Sequence, residues 1–286
     1  MFDIFEKKPH YIGLHINAHA IKALQFKLGR SRSEVKAYTN VPVPKGLIVN
    51  DEFTNIESMS ELLKNALLKS QHGSFTTNQA IISLPESKSF IRVIPLQPMT
   101  DEEIENAIVF EAEAYIPMPM EQVYYDWKIL SRTDKKIEVL LIASPKVFVD
   151  KFMAVIEGAG LKLIGVETEA QSIARALVPK EITEPILIVD LDAFKTAMIL
   201  VENAALQFTS SVPIAGNVFT ERLAKAAGIG VKEAEMIKRK YGFTNTVQYP
   251  NLKVELLPAI EDLAGEISKV LKFYYDHKKL ILIKLY

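Results

Sequence analysis

The chain has 286 residues, 34 Lys and Arg against 35 Asp and Glu, and a formal net charge of −1 with histidine neutral. At 49% hydrophobic and 24% charged, it has the make-up of a folded chain of one large domain or two ordinary ones. The balanced charge excludes nucleic-acid binding through a bulk positive field. The absence of cysteine excludes disulfides, iron–sulfur clusters, thiolate zinc sites and a cysteine nucleophile, and suits the cytoplasm.

No stretch reaches the ~18 uninterrupted apolar residues of a membrane span. The most apolar stretch, residues 186–201, is interrupted by Asp190, Asp192 and Lys195. The N-terminus has no h-region or cleavage site of a secretory signal. Met1, Phe2, Ile4 and Phe5, followed by Lys7 and Lys8, allow a terminus that dips into a membrane surface, with a frayed or packed one as the alternative.

Strands and helices alternate, so the class is α/β or α+β. Residues 11–26 read as two strands around a turn at Asn17, Ala18 and His19, and 35–43 as a third, ended by Pro42 and Pro44. Met59, Leu62, Leu63, Ala66 and Leu67 have helical spacing within 57–70. Strands at 79–84 and 89–95 precede Thr100-Asp101-Glu102-Glu103, a capping-box start for a helix that Pro117 and Pro119 prevent from continuing past about Tyr115. A hairpin is expected over 124–131 and 137–143, a helix over 145–159 stopped by Gly158 and Gly160, and a strand over 162–167. Further on, strands are expected at 186–189, 197–201 and 205–211, and helices at 217–227, 231–241 and 260–276. The chain stops within LILIKLY, another strand pattern.

An internal repeat underlies this order. Residues 13–23 align with 188–198 at an offset of 175, both reading strand, polar turn, strand. Repeats imply pseudo-symmetric units, here two halves with a cleft between facing turns.

Several residues have chemistry to offer. Asp190, Asp192, Lys195 and Thr196 lie on a tight turn after an apolar strand. Such a turn can aim backbone N–H groups at a phosphate while Asp190 holds Mg²⁺ through water, or can simply be a hairpin. Glu235 and Lys238, at i, i+3 on a helix, could grip one ligand or pair in solvent. His10, His15 and His19 lack zinc-site spacing. Glu111 and Glu113 point to different helix faces. No nucleophile-elbow, Walker A, zincin or dinucleotide-binding motif is present.

The opening MFDIFEKKPHYIGLHINAHAIKALQF resembles the start of the type IV pilus assembly protein PilM family, whose usual form continues as GLDIGSSSVKVVEL. The likeness continues in order through 44–51, 94–100 and the EAEAYIP of 111–117. It then runs through Tyr125-Asp126-Trp127, 140–144, Ala159-Gly160-Leu161 and 166–169, and ends with 213–220 and the EAEMIK of 233–238. The resemblance implies an α/β, actin-like ATPase (ribonuclease H-like) fold of two lobes, related to FtsA, with an inserted SHS2-type α+β subdomain. The expected division is 1–39 for the first half of lobe 1, 40–165 for the insertion, 166–184 for the return and connection, and 185–286 for an incomplete lobe 2.

It also implies phosphate loops at 15–21 and 190–196. Cofactor contacts then come from Asn17, Ala18, His19, Asp190, Asp192, Ala193, Thr196, Gly216, Glu235 and Lys238, and the metal contact from Asp190. The family's first-loop Asp is His15 here and its Gly is Asn17, while Asp192 replaces a Gly in the second loop. A lost carboxylate removes an anchor for metal-bound water, and Gly to Asp adds bulk and negative charge where phosphate approaches. ATP with Mg²⁺ is therefore expected to bind weakly or not at all, without catalysis. The implied partners are the cytoplasmic tail of a PilN-like membrane protein, pilus assembly ATPases or platform proteins, and further copies of the chain. Nucleic acid and a transmembrane segment are excluded. The implied place is the cytoplasm, peripheral at the inner face of the cytoplasmic membrane. An active actin-like ATPase and an FtsA-like division protein are the alternatives; the latter calls for a C-terminal amphipathic helix that the sequence does not show.

Overall fold

In a computed structural model, residues 10–29, 33–244, 250–278 and 284–285 are described. The apolar N-terminal residues proposed to meet a membrane, and most of LILIKLY, lie outside them. The chain divides into two compact units, Met1–Ile173 and Ala174–Tyr286.

The first unit opens with β1 (Ile12–Ile16), β2 (Ala20–Leu28) and β3 (Ser33–Pro42), then the short pair β4 (Ile48–Val49) and β5 (Glu52–Phe53). Next come α1 (Ile56–Leu68), β6 (His72–Gly73), β7 (Gln79–Leu84), β8 (Phe90–Leu96) and α2 (Asp101–Ala112). It continues with β9 (Val123–Arg132), β10 (Ile137–Pro145), α3 (Lys146–Gly158) and β11 (Lys162–Thr168), and passes into α4 (Glu169–Leu177). Six strands form one sheet in the order β11-β7-β1-β2-β3-β6, with β7 parallel to both β1 and β11. Alternation places Ile12, Leu14, Ile16, Ala80, Ile82 and Leu84 in the core. There they meet Met59 and Leu63 of α1 and Phe148, Phe152, Val155 and Ile156 of α3.

A smaller three-stranded sheet, β8-β10-β9, is wholly antiparallel. Ile104, Ile108 and Ala112 of α2 cover one of its faces against Ile94, Val139 and Leu141. The capping box at the start of α2 forms as expected: Glu103 N–H donates to Thr100 Oγ1 at 3.3 Å and Thr100 N–H to Glu103 Oε2 at 2.8 Å. Of the residues 40–165 expected as the insertion, β8, β9 and β10 form this separate sheet. α1, β7, α3 and β11 belong to the larger sheet and its core, because their apolar faces are completed only there.

The second unit contains β12 (Ile186–Leu191), β13 (Thr196–Glu202), β14 (Ala205–Val212), α5 (Gly216–Ala227), α6 (Val231–Tyr241), α7 (Leu252–Lys278) and β15 (Lys284–Leu285). Its sheet runs β14-β13-β12-β15, with β15 parallel to β12. The helix expected over 260–276 begins instead at Leu252 and carries Pro258 within it. Its inward residues Leu252, Leu256 and Ala259 pack on Phe219 and Leu223, and this burial outweighs the hydrogen bond that proline cannot make.

The internal repeat holds to the level of single hydrogen bonds. Ile16 pairs with Ile21 in the first hairpin and Leu191 with Thr196 in the second. Within the turns, Asn17 N–H donates to Ala20 O at 3.2 Å and Asp192 N–H to Lys195 O at 3.1 Å. Both pairs of positions differ by 175. Each unit continues into a third antiparallel strand and receives a parallel strand on the other side of its first.

Candidate functional sites

The first repeated turn binds itself. Asn17 Oδ1 accepts from the N–H groups of His19 and Ala20, both at 2.9 Å, a local closure typical of Asn in turns. Asn17 Nδ2 lies 3.1 Å from His15 Nε2. His15 Nδ1 lies 3.2 Å from Ser83 Oγ and 3.7 Å from Glu169 Oε1. Serine, histidine and a carboxylate thus meet, but Ser83 and Glu169 approach the same ring nitrogen. A relay needs them on opposite nitrogens, so this group is not a nucleophile centre. Ala18 is half-buried against the core of the larger sheet.

The second turn is also closed. Asp192 O accepts from Gly216 N–H and Ala193 O from Asn217 N–H, both at 2.9 Å. Val218 and Phe219 N–H both donate to Ala215 O, so the four N–H groups that open α5 all have protein partners. A helix start binds an anion through N–H groups left without such partners. Thr196 is fully buried, and its hydroxyl donates to Ile214 O at 2.5 Å, tying β13 to the chain after β14. Asp190 lies exposed at the end of β12, opposite Ala197.

Gly216, Thr220, Glu235 and Lys238 come together as a cluster. Lys238 Nζ contacts Gly216 O at 2.8 Å, Thr220 Oγ1 at 2.8 Å and Glu235 Oε2 at 2.7 Å, which accounts for all three ammonium donors. Thr220 Oγ1 donates to Glu235 Oε2, and Arg239 Nε to Glu235 Oε1 at 2.7 Å. Burial alone pushes the Glu235 carboxyl up, but the bonds from Lys238, Thr220 and Arg239 outweigh it and hold the group down at about 2. A Cβ on Gly216 would stand 3.3 Å from Asp192 O and 3.5 Å from Lys238 Nζ, so the bare glycine lets the turn, α5 and α6 close together. Sequence reasoning did not single out Thr220, the residue that joins α5 to the Glu235–Lys238 pair.

A third feature lies within the first unit. A groove of about 360 Å³ has an apolar floor that includes Leu84, Ala143, Val149, Met153 and Val166, with Tyr124, Asp126, Glu167 and Gln171 among its polar lining. Its flanking strands, β9 and β11, are each the edge of a sheet. Ile164 and Val166 on β11 are 41% and 42% exposed. Tyr124 OH donates to Asp150 Oδ1 at 3.1 Å, and this bond with the Asp150 charge raises the phenol above its usual range. Gln171 and Thr168 exchange two bonds, Thr168 N–H to Gln171 Oε1 at 2.9 Å and Gln171 N–H to Thr168 Oγ1 at 3.2 Å. These reciprocal bonds start α4, which the sequence analysis did not foresee. The Thr168-Glu169-Ala170-Gln171 pattern was the available signal.

Among the described residues, no group of three or more His, Asp or Glu side chains could hold a metal ion, and no helix is long and apolar enough to cross a membrane.

Paired sheets that each open on a matching three-stranded hairpin unit define the actin-like class. A structure of EutJ from Carboxydothermus hydrogenoformans matches with a TM-score of 0.54 at 17% identity over 93% of this chain and 72% of that one. MreB5 of Spiroplasma citri bound to AMPPNP matches with a TM-score of 0.50 at 13% identity over 97% and 92%. A structure of a PilM–PilN type IV pilus biogenesis complex matches with a TM-score of 0.77 at 24% identity over 94% of this chain and 78% of that one. The family model for type IV pilus assembly protein PilM matches residues 13–283, and the chain belongs to that family.

Proposed function

We propose that the chain is a non-catalytic adaptor of type IV pilus assembly. Its groove between β9 and β11 holds an extended cytoplasmic tail of a PilN-like partner. The observation that carries this is the apolar floor flanked by two sheet edges. An edge strand offers unpaired backbone groups, and proteins usually blunt or cover such edges. An added strand satisfies them while alternate side chains enter the groove. The similar structure that contains a PilN supports the choice of partner. Through this tail the chain lies at the inner face of the cytoplasmic membrane and couples the assembly ATPases to the membrane complex.

The reading includes weak or absent adenine-nucleotide binding. What supports it is the fit of the residues. The N–H groups of His19, Ala20, Asp192, Gly216 and Asn217 already have acceptors within the chain, and so do all three donors of Lys238. His15 stands where a carboxylate would hold metal-bound water. These residues do not fit ATP with Mg²⁺.

Titration of a labelled PilN-like tail into the full chain tests the adaptor. Binding is expected, with at least tenfold loss for Val166→Asp, which places a charge on the groove floor. Failure of the unaltered chain to bind the tail, with or without nucleotide, overturns it. Saturating Mg-ATP is expected to leave Tm unchanged. Ligand at a hundredfold over Kd stabilises by about 2.7 kcal/mol, so a clear rise that Asp190→Ala abolishes would instead support the ATPase reading.

A further inference from the structure

We propose that a second copy of this chain docks the outer face of its α6 against the outer face of α2. The inference does not rest on the groove reading. α2 buries Ile104, Ile108 and Ala112, and Glu102, Asn106, Phe110 and Glu113 recur on its other side at helical spacing, all exposed. Residues 101–113 contain six carboxylates and no basic residue. Arg132 engages Asp101, and the capping box engages Glu103. Glu102 and Glu113 share the stripe of Phe110, which is 75% exposed.

A phenyl ring on a stripe with carboxylates toward either end selects what can cover it. Two α2 faces repel each other, so the occupant must be both basic and apolar. That combination occurs on the same chain. α6 buries Ala234 and Ile237 and turns outward Lys232, Met236, Arg239 and Lys240, with Phe243 just beyond its end. Met236 is 65% and Phe243 49% exposed. Arg239 is held by Glu235, and Lys240 lies 4.9 Å from the Tyr241 ring centroid. The two stripes have similar lengths, about 16–18 Å at 1.5 Å per residue. Each supplies what the other lacks, Phe110 meeting Met236 and carboxylates meeting Lys232 and Lys240.

Unlike surfaces make a heterologous contact, which closes as a ring, extends as a filament or is reciprocated in a dimer. One helix face is smaller than a standard interface, so the association is weak and falls with salt, which screens its charges. A basic amphipathic helix also suits an anionic membrane. That occupant leaves Phe110 and its acidic surroundings unexplained, whereas a second copy accounts for both faces.

Sedimentation velocity on the full chain at 50 and 500 mM NaCl tests this. Concentration-dependent association is expected at low salt and its loss at high salt, with at least tenfold weakening for Phe110→Ala. Two charge-reversed proteins, E102K/E113K and K232E/K240E, are each expected to be monomeric alone and to associate when mixed, since each then meets an opposite face. Circular dichroism is expected to show that all five surface substitutions leave the fold intact. An unaltered chain that stays monomeric at low salt overturns the proposal, and so does a charge-reversed mixture that fails to associate. Monomers that co-sediment with phosphatidylglycerol vesicles only when Lys232 and Lys240 are present overturn it in favour of a membrane.

Discussion

Glu235 shows how individual side chains settle what a spacing leaves open. From sequence, the i, i+3 pair with Lys238 fits a ligand clamp, with a solvated ion pair as the commoner arrangement. In the fold both groups are occupied by Thr220, Gly216, Arg239 and each other. The Glu235 carboxyl sits at about 2 against an ordinary 4.5. A lowered carboxyl stabilises the fold fully above its unfolded value, and that contribution fades as pH falls from about 4.5 to about 2. With the group partly open to solvent, it is on the order of 1 kcal/mol. Denaturant melts between pH 6 and pH 2.5 should show that Glu235→Gln is less stable at pH 6 and has a shallower acid decline. A parallel decline for both proteins would remove this role.

The turn between β13 and β14 supplies a second prediction at the same scale. Asn203 and Ala204 both have φ of 53°, the left-handed pair of a tight hairpin for which Asn-Gly is preferred. A Cβ in that region costs about 1–2 kcal/mol. Ala204→Gly is therefore expected to raise stability by about 1 kcal/mol, read as an increase of a few degrees in Tm. An unchanged or lower Tm would contradict the strain argument.

Among the elements, local chemistry was legible where it is complete in a few residues. Thr100 and Glu103 announce α2 because both halves of the cap lie within one turn. Thr100→Ala should cost about 1 kcal/mol in chemical denaturation. The same signature at Thr168 and Gln171 was hidden by the β-rich run before it. Gly158 and Gly160 both read as helix stops, and the fold separates them. Gly160 takes φ of 83°, whereas Gly158 lies within α3, where a Cβ would approach Ser60 Oγ to 2.5 Å and Ser60 Cβ to 2.9 Å. Its bareness lets α1 and α3 meet. Gly158→Ala is expected to destabilise by about 1–3 kcal/mol. Adding Ser60→Gly should recover part of that loss, and strict additivity in the double-mutant cycle would sink the contact.

At the level of the whole molecule, the repeat at offset 175 led to paired hairpins with the same register and the same turn hydrogen bonds. A hairpin is a local object, so its signal survives in sequence. The partners of β7 and β11 leave no such local trace, because β7 pairs with β1, Ala80 opposite Ile12, and β11 with β7, Lys162 opposite Gln79, each across a long stretch of chain. The groove was equally hidden: Leu84, Tyr124, Met153 and Val166 become one surface only when two sheets and α3 pack. A tail-binding assay on the Gly158→Ala protein should show reduced affinity through a shifted α3, the helix that supplies Val149 and Met153 to the floor. Unchanged affinity would mean that α3 does not set the groove width.

By itself the sequence determined the alternation of strands and helices, the duplicated hairpin, the capping box of α2 and the likeness to the PilM family. Each depends on short-range periodicity or on residue order, which a linear string preserves. Tertiary structure alone decided which edge strands stay unpaired, which turn N–H groups find partners, and where Phe110 and Met236 are left uncovered. Those properties depend on what lies beside a group in space, and the hydrogen-bond partners and apolar neighbours that decide them come from distant parts of the chain.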